Sequence, residues 1–95
     1  MKKPLIKKLF LQAVDFEKKE DFLRAKSIYQ KIIKIDSRFS NAYYNLANIL
    51  KGLGEHEDAI SNYKKVIAID PKNISAINNL GVLYREIKEY KKAIF

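Results

Sequence analysis

The sequence has 95 residues, of which 47% are hydrophobic and 32% are charged, with a formal net charge of +8. We expect residues 1–95 to form a single domain, because this length allows one at most. The absence of cysteine excludes a disulfide framework and a thiolate metal site. The lack of cysteine also fits a reducing cytosol, so we expect a cytoplasmic protein. No apolar run is long enough to cross a bilayer, so we expect no membrane contact, and binding of residues 1–11 to a membrane surface is a weaker alternative.

Apolar residues three and four positions apart predict a first helix over residues 4–18 and a second over residues 22–35. Pro4 suits the first turn of a helix, where no amide hydrogen is needed. A loop follows over residues 36–39. Ser40 is predicted to cap the third helix with its hydroxyl group.

Residues 40–73 predict a complete helical hairpin. Four residues share one apolar face of its first helix: Tyr43, Leu46, Ala47 and Leu50. Gly52 and Gly54 end this helix, because glycine accepts turn dihedrals readily. A second apolar stripe over residues 59–67 predicts the fourth helix, which Pro71 ends because proline has no amide hydrogen to donate.

The remaining residues, 74–95, repeat only the beginning of this hairpin. Asn73 is predicted to cap a fifth helix that ends near Ile87. A turn at Lys88 and Glu89 is predicted to lead into a sixth helix near Tyr90. We expect a fragment of a longer repeat protein, with an apolar end that promotes self-association. The expected end face consists of Leu83, Tyr84, Ile87, Ala93, Ile94 and Phe95.

The hairpins recur at a period of 34 residues. Ala25, Ala59 and Ala93 are separated by this interval, and Tyr29 recurs at Tyr63. A fixed period of this length predicts an all-α solenoid of stacked hairpins rather than a domain with one central core. We assign the repeats to residues 6–39, 40–73 and, in part, 74–95.

The repeated residues resemble the tetratricopeptide repeat (TPR), a 34-residue helix-turn-helix unit. The second repeat supplies the residues typical of the family: Tyr43, Leu46, Ala47, Leu50, Ala59, Tyr63 and Pro71. The first repeat matches less well, since Gln12 and Ser37 replace the usual leucine and proline. The resemblance implies a right-handed solenoid that binds proteins or peptides, with no catalytic site, cofactor or metal.

The resemblance also implies that the first helices of the repeats line a concave groove. The candidate peptide-binding side chains, called the predicted groove residues below, are Asn41, Tyr44, Asn45, Asn48, Asn78 and Asn79. An asparagine amide both donates and accepts hydrogen bonds, which suits an extended peptide backbone. The alternative is that these asparagines are ordinary exposed residues of helices.

Asn45 and Asn79 lie 34 residues apart, similar to the asparagine ladder of O-linked N-acetylglucosamine transferases, although Leu11 replaces asparagine in the first repeat. A TPR clamp for carboxylates fits less well, because Tyr44 stands where that clamp needs a lysine. An alternative function is a regulatory or substrate-docking arm of a larger enzyme, such as a glycosyltransferase.

The charge is concentrated in the N-terminal part. Residues 1–38 carry eleven basic and five acidic residues, a balance of +6, and the remainder carries eight against six. This favours an acidic partner. Nucleic acid is a weaker alternative, because the lysines are spread around the helices. The single histidine, His56, lies in a predicted turn without the convergent ligands of a metal or catalytic site.

Overall fold

The computed structural model describes the backbone of residues 2–94 and the side chains of residues 2–89 and 91. The described backbone contains no strand, and it extends over 51 × 30 × 18 Å. It forms five helices: α1 Lys2–Lys18, α2 Phe22–Ile35, α3 Ser40–Gly52, α4 His56–Ile69 and α5 Ile74–Ile94. The prediction of an all-α fold is therefore confirmed.

Each helix packs mainly against its neighbours in sequence, α1 with α2, α2 with α3, α3 with α4 and α4 with α5. The helices thus form two hairpins and a further helix, stacked as a helical repeat solenoid. No helix of the described part combines the length and hydropathy that a membrane crossing requires.

The core repeats with the same 34-residue interval. Ala25 and Ala59 are completely buried, as are Tyr29 and Tyr63 four residues further on. The small alanines allow neighbouring helices to approach within roughly 8–10 Å between axes. The tyrosine rings then fill the space between hairpins, so one pattern of small and large residues builds both hairpins.

The loop before α3 differs from the prediction that Ser40 is the cap. Phe39 occupies the N-cap position without a side-chain capping bond, and Ser40 is already helical. The amide group of Phe39 donates to the Asp36 carbonyl oxygen, 3.2 Å away. The Phe39 ring lies edge-on to Phe10, with 5.7 Å between centroids. Packing of an aromatic ring has thus replaced the capping bond.

The turns inside the two hairpins need one residue with a positive φ angle. This residue is Glu20 in the first turn, with φ 60°, and Gly54 in the second, with φ 81°. The equivalent residue of the third repeat is Lys88. No turn forms there, since α5 continues to Ile94.

The predicted turn at Lys88 and Glu89 is therefore wrong, as is a separate sixth helix. A left-handed residue other than glycine costs roughly 1–2 kcal/mol. The 14 residues of α2 offset that cost at Glu20 by burying side chains. Continuation of α5 through Lys88 avoids this cost. Propagating the existing helix needs no new nucleus.

The predicted apolar end face is only partly present. Leu83 is fully buried, which corrects its assignment to this face, whereas Tyr84 is 45% exposed and Ile87 half-buried. Leu83 precedes Tyr84 by one residue, so its side chain points about 100° away from that of Tyr84 around the helix axis, towards the core. The predicted members Ala93, Ile94 and Phe95 lie outside the residues whose side chains are described.

Candidate functional site

Four polar side chains join α3, α4 and α5 in one hydrogen-bonded group, called the amide–tyrosine cluster: Tyr44, Asn48, Tyr63 and Asn79. The Tyr63 hydroxyl donates to Oδ1 of Asn48. Nδ2 of Asn79 donates to the Tyr44 hydroxyl at 3.0 Å and to Oδ1 of Asn48 at 3.3 Å. Side chains from successive first helices, α3 and α5, are therefore held together directly.

The two rings of this cluster also contact each other. Tyr44 and Tyr63 lie edge to face, with 6.2 Å between ring centroids and 68° between ring planes. Burial, with a smaller contribution from Tyr44, raises the pKa of Tyr63 to about 12. Tyr63 therefore stays protonated at neutral pH and acts as a hydrogen-bond donor to Asn48.

Asn45, the residue one repeat before Asn79, bonds instead to a tyrosine of α2. Its Nδ2 donates to the Tyr29 hydroxyl at 2.9 Å. Tyr29 is fully buried, and burial raises the pKa of its hydroxyl group. Burial also raises the pKa of the neighbouring Glu17, and hydrogen bonding with Tyr29 offsets part of this shift. A line of polar groups thus runs from α1 through α2 to α3.

The structure brings only some of the predicted groove residues together. Tyr44, Asn48 and Asn79 belong to the amide–tyrosine cluster, and Asn45 is bonded to Tyr29 rather than to a neighbouring asparagine. Asn41 lies apart from them, at a pocket of the first hairpin. Asn78 is exposed and has no side-chain hydrogen bond within the described residues.

The pocket near Asn41, called the first-hairpin pocket, has a volume of about 370 Å³. It lies between the N-terminal half of α1 and the loop that leads into α3. Its walls combine apolar and charged side chains: Lys3, Ile6, Lys7, Phe10, Asp36, Phe39 and Asn41. The Phe10 ring lies edge-on to Tyr29 as well, with 5.7 Å between centroids, so this wall rests on the core.

A second cavity, of about 610 Å³, lies between the start of α4 and the C-terminal half of α5. Ile60, Tyr84 and Ile87 form its apolar side, and His56 and Glu57 form part of its rim. In the described part of the chain, no three histidine, aspartate or glutamate side chains are grouped to hold a metal ion.

Three features of these sites were not predicted from the sequence. The first two are the hydroxyl groups of Tyr29 and Tyr63, which bond to asparagines of the predicted groove residues. Tyr29 precedes its partner Asn45 by 16 residues, but the same spacing from Tyr63 leads to Asn79, whereas Tyr63 bonds to Asn48. Spacing alone therefore does not identify the partners. The third missed feature is Phe39, which stands where the next repeat has the capping residue Asn73.

The chain is similar to several solved structures. MamA aligns with a TM-score of 0.82 at 25% identity, over 95% of this chain and 61% of its own. The TPR2B domain of yeast Sti1, in a complex with pHsp70, aligns with a TM-score of 0.82 at 26% identity, over 93% of this chain and 70% of its own. The chain thus spans about three fifths of the length of MamA.

The first TPR of Spaghetti (RPAP3), bound to the HSP90 peptide SRMEEVD, aligns with a TM-score of 0.80 at 20% identity, over 84% of this chain and 64% of its own. At this identity the likeness concerns the fold alone. No curated protein sequence matches the chain.

Two family models, both described as tetratricopeptide repeat, match residues 40–73 and residues 62–95. The first match coincides with the second predicted repeat. Together the two models cover residues 40–95, more than half of the sequence. With five stacked helices and a 34-residue period in its core, the chain belongs to the tetratricopeptide repeat family.

Proposed function

We propose that the chain is a non-catalytic, cytoplasmic peptide-binding module, and that the predicted groove residues hold an extended segment of a partner protein. The observation that carries this proposal is the amide–tyrosine cluster. It joins α3 to α5 through Asn79, and Asn48 within it is exposed to solvent. A polar surface that is ordered before a ligand arrives reduces the entropy cost of binding.

The internal hydrogen bonds decide which groups remain for a ligand. Both hydrogens of the Asn79 amide are used, so its Oδ1 is left as an acceptor. Oδ1 of Asn48 already receives two donors, so its Nδ2 is left to donate. The Tyr44 hydroxyl accepts from Asn79 and keeps its own proton for donation.

These remaining groups include both donors and acceptors. Asn48 and Tyr44 offer donors, and Asn79 offers an acceptor. Asn45 offers its Oδ1, since its Nδ2 donates to Tyr29. An extended peptide presents carbonyl and amide groups in alternation, so both kinds of partner are available to one backbone. This match favours main-chain recognition over recognition of a particular side chain.

Comparison with a solved structure gives independent support. The TPR2B domain of yeast Sti1, 26% identical to this chain, was solved in a complex with pHsp70. A protein or peptide ligand is therefore compatible with this fold at a related sequence. The identity of the ligand is not transferred to this chain.

Selection from a random peptide library displayed on phage tests the proposed function. We expect the wild-type chain to enrich binding peptides. The double variant Asn45→Ala/Asn79→Ala should bind these peptides with an affinity that is lower by roughly tenfold or more, since each substitution removes hydrogen bonds. The control is Asn62→Ala on α4, whose side chain bonds only to the Asp58 carbonyl of its own helix.

Circular dichroism of each variant accompanies the binding measurement. Unchanged helicity with weaker binding assigns the loss to the groove. Equal binding by the wild-type chain and Asn45→Ala/Asn79→Ala would contradict the groove assignment. Failure of the wild-type chain to enrich any peptide would contradict the proposed function itself.

A further inference from the structure

The first-hairpin pocket has no counterpart of the same chemistry one repeat later. Shifting Phe10 and Phe39 by 34 residues gives Tyr44 and Asn73. Asn73 caps α5, because its Oδ1 accepts from the Ala76 amide group at 3.0 Å. Phe39 makes no such bond for α3, although a side-chain cap stabilises the start of a helix. An aromatic ring therefore occupies the position at which the next repeat has a polar residue that stabilises the start of its helix.

The interior of the pocket is apolar and its rim is basic. Ile6 and the rings of Phe10 and Phe39 form the apolar surface, and Lys3 and Lys7 are exposed beside it. Within the described residues, neither lysine makes a salt bridge, because all three bridges found there involve other residues.

Asp36 is the only acidic residue among the described residues that line the pocket, and its carboxylate is hydrogen-bonded within its own loop. Oδ1 of Asp36 accepts from the backbone amide group of Arg38 at 3.0 Å. Asp70, one repeat later, makes the same bond to the amide group of Lys72 at 3.3 Å. Asp36 therefore shapes the turn, and its single negative charge is outnumbered by the two lysines that face an anionic ligand.

We propose that this pocket receives one large apolar side chain of an acidic peptide, and that carboxylates flanking that side chain pair with Lys3 and Lys7. This proposal rests on the proposed function and specifies its ligand. Asn41 lines the pocket and also belongs to the predicted groove residues. A peptide held along the groove can therefore continue into the pocket.

Size and charge select this occupant. A cavity of about 370 Å³ lies at the lower end of the roughly 300–1,000 Å³ of small-ligand sites, which suits one side chain rather than a helix. Residues 1–38 carry a charge of +6, so a second copy of this part would be repelled. An acidic segment is attracted, and its association rate rises at low salt.

The first experiment measures fluorescence anisotropy with three short synthetic peptides. One alternates glutamate with glycine around a central phenylalanine, the second has alanine at the centre, and the third has lysine in place of glutamate. We expect the first to bind tightest. The alanine peptide should bind roughly tenfold to a hundredfold more weakly, as expected for burial of one aromatic ring. The lysine peptide should not bind.

Two variants test the pocket separately. Phe39→Asn removes the aromatic wall and supplies the capping residue found at Asn73, so it keeps the start of α3. Lys3→Glu/Lys7→Glu reverses the rim charge, and Lys64→Glu/Lys65→Glu on α4 is the control with the same change in net charge. We expect the acidic peptide to lose roughly tenfold in affinity with each pocket variant and much less with the control.

Each outcome separates this proposal from the proposed function. If the wild-type chain enriches library peptides but shows no preference for the acidic phenylalanine peptide, the pocket proposal fails and peptide binding stands. Equal losses of affinity with Lys3→Glu/Lys7→Glu and with the control would show that only net charge matters. That result would overturn the pocket proposal. Binding of a single-stranded oligonucleotide that depends on Lys3 and Lys7, without peptide binding, would overturn both.

Discussion

Two buried tyrosines connect the core to the proposed groove asparagines. The rings of Tyr29 and Tyr63 are fully buried, and their hydroxyl groups bond to Asn45 and Asn48 respectively. A buried hydroxyl group without a partner costs about 1–3 kcal/mol. Substitution of a groove asparagine therefore lowers stability as well as binding, which is why helicity must be measured with affinity.

The raised pKa of Tyr63 predicts a pH dependence of stability. Its folded pKa is about 12, above the ordinary value of 10.0, so the native state keeps a proton that the unfolded chain releases. The stabilisation from this group is complete below pH 10.0 and is lost as the pH rises to about 12. Urea unfolding measured across this range should show a steeper loss for the wild-type chain than for Tyr63→Phe. Parallel pH profiles would contradict the shift.

The starts of α3 and α5 differ although they occupy equivalent positions in the repeat. α5 follows Asn73, whose side chain bonds to the Ala76 amide group, whereas α3 follows Phe39. The prediction that Ser40 caps α3 was wrong, because the turn closed by Asp36 makes the chain helical one residue earlier.

We predict that Asn73→Ala lowers the free energy of unfolding by about 1 kcal/mol, the usual contribution of a cap. Ser40→Ala should change it by less than about 0.5 kcal/mol, because Ser40 lies within the helix and caps nothing. Urea unfolding followed by circular dichroism measures both. A larger loss for Ser40→Ala than for Asn73→Ala would contradict the positions of these caps.

The elements differ in how much of them the sequence determines. The bounds of α2 were predicted correctly, because apolar periodicity and the acidic residue Asp21 mark its start. Asp21 indeed accepts from the Arg24 amide group at 3.3 Å. The length of α5 was not predictable from the repeat alone. Apolar periodicity indicates which face of a helix a residue favours. A turn at Lys88 depends instead on whether the following residues bury enough surface to offset the free energy of a left-handed backbone conformation.

The candidate site was predicted only in part. The family resemblance placed Tyr44, Asn48 and Asn79 on one surface, and the structure joins all three, but the prediction omitted Tyr63 and included Asn41 and Asn78, which lie apart. Which amide hydrogens remain for a ligand depends on contacts between different helices, and these require the packing geometry. The first-hairpin pocket was not predicted, because Phe39 does not match the residue at the equivalent position of the next repeat. Its contact with Phe10 becomes visible only in the packed structure.

Across the whole molecule, stability should vary along the stack. α3 is covered by helices on two sides and contains six of the buried residues, whereas α1 contains two. In a solenoid each element is stabilised mainly by its neighbours. Helices at the ends, with one neighbour each, should therefore open more often than those in the middle.

Native-state hydrogen exchange tests this order. We predict the slowest exchange in α3 and α4 and faster exchange in α1 and in the C-terminal half of α5. Local opening of the end helices exposes their amide groups without unfolding of the central hairpin. Uniform protection of all five helices would instead indicate that the molecule unfolds as a single cooperative unit.

The contacts between hairpins restrict where the chain tolerates extra residues. Tyr29 reaches Asn45 across residues 36–39, and Tyr44 reaches Asn79 across the equivalent four-residue connection between α4 and α5. An insertion in either connection shifts the following helix by a fraction of a turn and separates tyrosine from amide. Extra residues at 19–21 lie outside the Tyr29–Asn45 pair, whereas extra residues at 53–55 lie between Asn48 and Tyr63, which are also hydrogen-bonded. Length variation among descendants of this sequence should therefore accumulate in the turn at 19–21 and be purged at 36–39, 53–55 and 70–73.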